Sequence, residues 1–281
     1  MDDNEFYIGW QPHAPRGIAK HVRSAVVLLF ALPIGLAIVL GLFQKKFSAG
    51  QFEFGSLTEV TGIYYPGPVP CLKVISKQDA SGNTTYITMP LVGYGKSGAD
   101  GIIKELQQES EMDFEGRKVT FRGSLIYEDG KTLLQIDKHD HPMVKVQTIT
   151  NAPPRTTREI GEVELEGEIL DPKCYFGVMK PGHGKPHRDC AIRCIEGGIS
   201  PVFCVHNEKG EGAYYLLVGS NGEKINGQVG DHVAEPVKIK ARAVQYDDWI
   251  VLYLNKGAQI ERTGGLSWFK NDGTLSCGAP Q

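Results

Sequence analysis

The sequence predicts a mainly β protein, with two tandem five-stranded barrels following a single transmembrane helix. Three observations carry this reading. An uncharged run of 20 residues occupies 24–43. Short β-branched runs separated by glycine, proline and asparagine fill the chain from residue 52 onward. The order of those runs is given twice, at a spacing of roughly 100 residues, as in an internal repeat. A length of 281 residues accommodates two such units and an anchor. A hydrophobic content of 41% with 22% charge belongs to folded protein. The net charge of −3 leaves no electrostatic footprint for nucleic acid, which is not expected as a partner.

Residues 1–23 form a polar leader containing the aromatic stretch Phe6-Tyr7-Ile8-Gly9-Trp10. The run 24–43 suits a membrane span, since about 20 helical residues cross a ~30 Å hydrocarbon layer. Pro33, Gly35 and Gly41 are tolerated better there than in a soluble helix. A cleaved signal peptide fits less well, because the leader is long and Gln44-Lys45-Lys46 follows the run directly. Arg16, Lys20 and Arg23 before the span, against Lys45 and Lys46 after it, favour a cytoplasmic N-terminus. The expected location is a bacterial inner membrane, with the bulk of the chain periplasmic.

The first barrel is expected over 50–148. Thr58-Glu59-Val60-Thr61-Gly62-Ile63-Tyr64 opens it, Ile102-Ile103-Lys104-Glu105-Leu106 makes one short helix, and Glu128-Asp129-Gly130-Lys131 turns the last hairpin. A linker at 149–160 contains Pro153-Pro154. The second barrel, over 161–262, repeats the order. Val163-Glu164-Leu165-Glu166-Gly167-Glu168-Ile169 matches the first strand, Cys174 falls near the place of Cys71, and Asp247-Asp248 turns the last hairpin. A glycine-rich tail covers 263–281. Five strands with one short helix before the final hairpin resemble an oligonucleotide/oligosaccharide-binding (OB) barrel. That resemblance is topological and decides nothing about function.

Four of the six cysteines lie between Cys174 and Cys204, with His183 and His187 inside the first gap. Pro181, Gly182, Gly184 and Pro186 make 180–186 a loop, and 189–196 reads as a short helix capped near Asp189 and stopped by Gly197-Gly198. Cys190 and Cys194 are four apart and share a helical face. Three readings compete. In an oxidising compartment the cysteines pair as disulfides. Alternatively Cys174, His187, Cys190 and Cys194 hold a metal, with His183, Met179 and Cys204 in reserve; thiolate with imidazole suits zinc or copper. Iron–sulfur and haem ligation lack their usual cysteine spacings. The third reading makes Cys190 a nucleophile for thiol–disulfide exchange.

A second cluster, Lys138-His139-Asp140-His141-Pro142-Met143, ends the first barrel. Its arrangement resembles the periplasmic haem chaperone family of cytochrome c maturation, which also has one N-terminal membrane helix, an OB barrel and a Lys-His-Asp run. The resemblance implies haem on His139. The family's tyrosine four residues later is replaced here by Met143, and the second barrel has no counterpart in that family. The bland reading is an exposed polar strand end, with His139, His141 and Met143 as weak copper ligands. Gly93-Tyr94-Gly95-Lys96-Ser97-Gly98 lacks phosphate-loop spacing and reads as a loop needing positive φ.

The functional expectation is an extracytoplasmic accessory, electron-transfer-associated or assembly subunit of a bacterial membrane redox complex, working beside other membrane or periplasmic subunits. The alternatives are a structural subunit stapled by disulfides, and a thiol-redox protein or metal or haem chaperone.

Overall fold

The computed structural model describes residues 15–43, 50–79, 83–139, 141–149, 152–207, 211–255 and 260–264. The leader before residue 15, Asp140, Cys277 and the tail beyond 264 lie outside them. Helix α1 spans Arg16–Phe43, beginning eight residues before the uncharged run and carrying Arg16, Lys20 and Arg23 in its first turns. Its 28 residues extend roughly 42 Å at 1.5 Å each, so it is long and apolar enough to cross a membrane. The described residues from 50 onward belong to a separate compact unit.

That unit is built from two barrels. The first contains β1 (Gln51–Phe52), β2 (Thr58–Tyr65), β3 (Cys71–Gln78), β4 (Thr84–Val92), α2 (Asp100–Ser110), β5 (Lys118–Glu128), β6 (Lys131–Ile136) and β7 (Met143–Gln147). Pairing runs β2-β3-β4-β6-β5 and closes from β5 back to β2. β4 and β6 are parallel, while β1 and β7 add to β5. The second contains β8 (Thr157–Leu170), α3 (Arg188–Glu196), β9 (Val202–His206), β10 (Gly212–Gly219), α4 (Asn226–Val229), β11 (Pro236–Tyr246), β12 (Trp249–Leu254) and β13 (Glu261–Arg262). Its order β8-β9-β10-β12-β11 closes from β11 to β8, again with one parallel pair, β10 with β12. Both rings are therefore the OB-like barrels expected, and the two hairpin turns fall where the sequence put them.

The register fixes which positions correspond. Gly62 in β2 and Gly167 in β8 both pack against the second strand of their barrel. A Cβ on Gly62 would meet the Lys73 carbonyl at 2.8 Å, and one on Gly167 would overlap the Cys204 carbonyl. Glycine is needed at both because the strands approach too closely for a side chain.

β10 and β12 each serve two cores. Tyr215 and Leu217, with Ile250, Leu252 and Leu254, point into the second barrel. Tyr214, Leu216 and Val218, with Trp249, Val251 and Tyr253, point the other way. There they meet Val92, Ile126 and Leu133 of the first barrel. Period-two alternation thus divides an unbroken apolar run between two buried faces. The barrels share a core, and each hairpin tip reaches the other barrel. Tyr214 Oη donates to Asp129 at 2.6 Å, while Asp248 accepts the Thr88 N–H at 2.9 Å. Arg155, in the linker, is held between the rings of Tyr65 and Tyr246.

Candidate metal centre

The first and second strands of the first barrel are joined by residues 66–70, but in the second barrel the same connection expands to 171–201. This insertion carries the cysteines. β8 ends at Leu170 and the chain turns at Asp171-Pro172, where proline suits the start of a helical turn. Asp171 caps the turn. Its Oδ1 accepts the Lys173 N–H at 2.9 Å, and its carbonyl accepts the Tyr175 N–H at 3.0 Å. The turn then widens into a single π-turn over Cys174–Val178, closed by Met179 N–H to the Cys174 carbonyl at 3.0 Å. Such wide turns recur at functional sites because they re-aim one side chain. Cys174 is therefore part of the insertion and not the counterpart of Cys71. Tyr65 pairs with Cys71 as Leu170 pairs with Val202, so Val202 holds that place.

Helix α3 supplies the other donors. His187 is its N-cap residue, at the end of a 3-10 turn over Lys185–His187. Asp189, expected as the cap, lies exposed in the first turn, where its charge still complements the helix dipole. Gly197 and Gly198 end the helix as expected, Gly198 with φ +103°. Asn226 Nδ2 donates to the carbonyls of Ile195 and Ile199 at 2.6 and 2.8 Å. These bonds hold the helix end against the barrel.

The ligating atoms of Cys174, His187 and Cys190 lie within 4.8 Å of one another, and so do those of Asp171, Cys174 and Cys194. The four residues expected from the sequence converge here, and Asp171 joins them. Its signal was the Asp-Pro pair three residues before Cys174, which reads as a cap; one carboxylate oxygen does cap, and the other is left for the site. Asp171 is fully buried and His187 is 2% exposed. Asp171 Oδ2 and both nitrogens of His187 have no hydrogen-bond partner among the described residues. Buried polar atoms are seldom left so, and thiol, imidazole and carboxylate together are a donor set for a metal ion.

The surroundings favour the neutral forms of Cys174 and His187. Cys194 beside it, then burial, then the Asp171 charge push the Cys174 thiol far up. Burial holds the His187 imidazole down, aided by Lys96 and His183 and opposed by Asp171. Two ammonium groups stand close by. Lys96 Nζ donates to Cys190 Sγ at 3.5 Å. Lys173, 4% exposed, donates to the carbonyls of Gly93 and Gly95 at 2.9 and 2.6 Å. The loop 93–98 thus binds a lysine and covers the site, with Gly98 N–H donating to the Gly197 carbonyl at 2.9 Å. Positive φ is needed only at Gly95 of its three glycines; Gly93 and Gly98 are places of close backbone approach.

Neither His183 nor Cys204 of the reserve ligands joins a triad. Met179 is 40% exposed. Cys204 and His183 belong to a second polar group around Tyr175. Cys204 Sγ lies 4.0 Å from Tyr175 Oη and 3.6 Å from His206 Nδ1. Burial holds His206 down to about 4 and raises Glu168, the pairing partner of Cys204 on β8, to about 7. Cys71, Cys174, Cys190, Cys194 and Cys204 are all free. The disulfide expectation is thus corrected for the described cysteines. Cys204 lies against Tyr175 and His206 and joins neither triad, and Cys190 and Cys194 sit one helical turn apart, a spacing that does not suit a bridge.

In the second histidine cluster, His139 and His141 are exposed, His139 against the Tyr94 ring at 5.3 Å between centroids. Met143 packs on the core of the first barrel. No group of three metal-ligating His, Cys, Asp or Glu side chains forms there among the described residues. No family model matches the chain, and no curated protein matches it.

Proposed function

We propose that this protein is a membrane-anchored metal protein, with α1 as its bilayer anchor and a thiophilic ion, zinc or copper, held by the insertion of the second barrel. The observation that carries this reading is the convergence of three thiols, a neutral imidazole and a carboxylate oxygen, the last two buried without partners. The loop 93–98 lies against the residues that would hold the ion, which suits a resident ion more than a passing one. An anchored scaffold of this kind fits an accessory, electron-transfer-associated or assembly subunit of a bacterial membrane redox complex, with the barrels on the extracytoplasmic side. Within it the metal either carries electrons or stiffens a docking surface.

The test is elemental analysis and redox titration of the full chain purified in detergent. A stoichiometric ion whose absorption or paramagnetic signal changes reversibly on reduction supports electron transfer. A redox-silent zinc supports the assembly role. Absence of any stoichiometric metal rejects the reading.

A further inference from the structure

The donors do not gather as one group. They form two triads, Cys174-His187-Cys190 and Asp171-Cys174-Cys194, which share only Cys174. A single ion bound about 2.3 Å from each sulfur and about 2.0–2.2 Å from nitrogen or oxygen draws all its donors into one compact sphere. Each triad, moreover, holds its own buried atom without a partner: the His187 nitrogens in one, Asp171 Oδ2 in the other. An ion in the first triad leaves Asp171 unsatisfied, and an ion in the second leaves His187 so. One ion answers half of the observation.

Resting on the metal reading above, we infer that the insertion holds two ions, one in each triad, bridged by the Cys174 thiolate. Donor chemistry identifies the ion. Thiolate, imidazole and carboxylate together are the donor set of zinc, whereas a carboxylate does not suit cuprous copper. Binding releases the thiol protons to solvent, with no change in the oxidation state of zinc or sulfur.

The test is anaerobic titration of the metal-free full chain in detergent with zinc ion, counting zinc retained per chain after desalting. Two ions are expected for the native sequence. Cys194→Ser and Asp171→Asn each retain one, His187→Ala retains one in the other triad, and Cys174→Ser retains less than one. Circular dichroism on each variant separates lost ligands from lost fold, and Asp171→Asn keeps the size of the side chain. Saturation at one ion, or loss of both in Cys194→Ser with the fold intact, overturns the second site and leaves the proposed function standing. Binding of neither copper nor zinc brings down both.

Discussion

Lys131 places its ammonium 4.4 Å from the centre of the Trp249 ring, and the two residues occupy the same position in their two barrels. Each is the first residue after the last hairpin turn, Lys131 paired with Glu128 and Trp249 with Tyr246. The matching strand starts of the two barrels thus pack on each other. Lys131 also donates to the Asp248 carbonyl at 2.6 Å, and Trp249 Nε1 donates to the Thr88 carbonyl at 3.0 Å. Trp249 is thereby both an apolar plug and a hydrogen-bond donor. Trp249→Ala is expected to cost about 3–5 kcal/mol. Because the core is shared, denaturant unfolding followed by far-UV circular dichroism should show one transition for both barrels, shifted in the variant. Two separated transitions in the native sequence would contradict the shared core.

Another contact between the barrels is ionic. Lys73, 6% exposed, pairs with Asp247 at 2.7 Å, and Asp247 also accepts Arg155 at 3.3 Å and the Thr156 N–H at 3.0 Å. Removing one member of a buried pair leaves its partner's charge desolvated. Lys73→Met should cost about 3 kcal/mol, at the low end for such pairs because Arg155 still holds Asp247. Equilibrium unfolding in urea measures it.

Glu168 makes stability depend on pH. Burial raises its carboxyl from 4.5 to about 7, with the Gly184 N–H pulling slightly the other way. An acid whose pKa is raised by folding binds its proton more tightly in the folded state. Its contribution is complete below pH 4.5 and is lost as pH climbs through 7. The difference between the native chain and Glu168→Gln should fall by about 3 kcal/mol across this window. His206, held near 4, acts in the opposite sense as pH drops below 6.5, but it is present in both proteins and cancels. A pH-independent difference in thermal unfolding would remove Glu168 from the account.

The loop 93–98 is sensitive at Gly98. A Cβ there would overlap the Gly198 carbonyl, so Gly98→Ala must separate the loop from the end of α3. A cost of about 1–3 kcal/mol is expected. Displacing the loop uncovers the half-buried Cys190, so in the metal-free Gly98→Ala protein this thiol should alkylate several-fold faster than in the metal-free native chain. Mass spectrometry of the Cys190 peptide follows this.

The repeat was readable because the constraint acts locally. Gly62 and Gly167 sit at matching places in matching strands, each forced by the backbone of the next strand. The insertion was readable from proline and glycine around His183 and His187, and from the four-residue spacing of Cys190 and Cys194. The joining of the barrels was less so. Its contacts link residues such as Thr88 and Asp248, 160 positions apart, and no local pattern records such a pair. One sign was present in the unbroken apolar runs 214–218 and 249–254, since a strand with a single buried face alternates. Asp171 was hidden by its double use as cap and site. The disulfide expectation came from compartment alone, which says nothing of where each sulfur points.

The proposed function stands on a metal ion in the Cys174 cluster. Cys190, the one half-buried thiol of that cluster, reports on it directly. The full chain, purified without oxygen in detergent, would be alkylated before and after chelator treatment, with metal content measured on the same samples. Bound copper or zinc is expected, with Cys190 unreactive until the chelator removes the ion and reactive afterwards. Equal alkylation of Cys190 in both samples, with no metal in either, would contradict it.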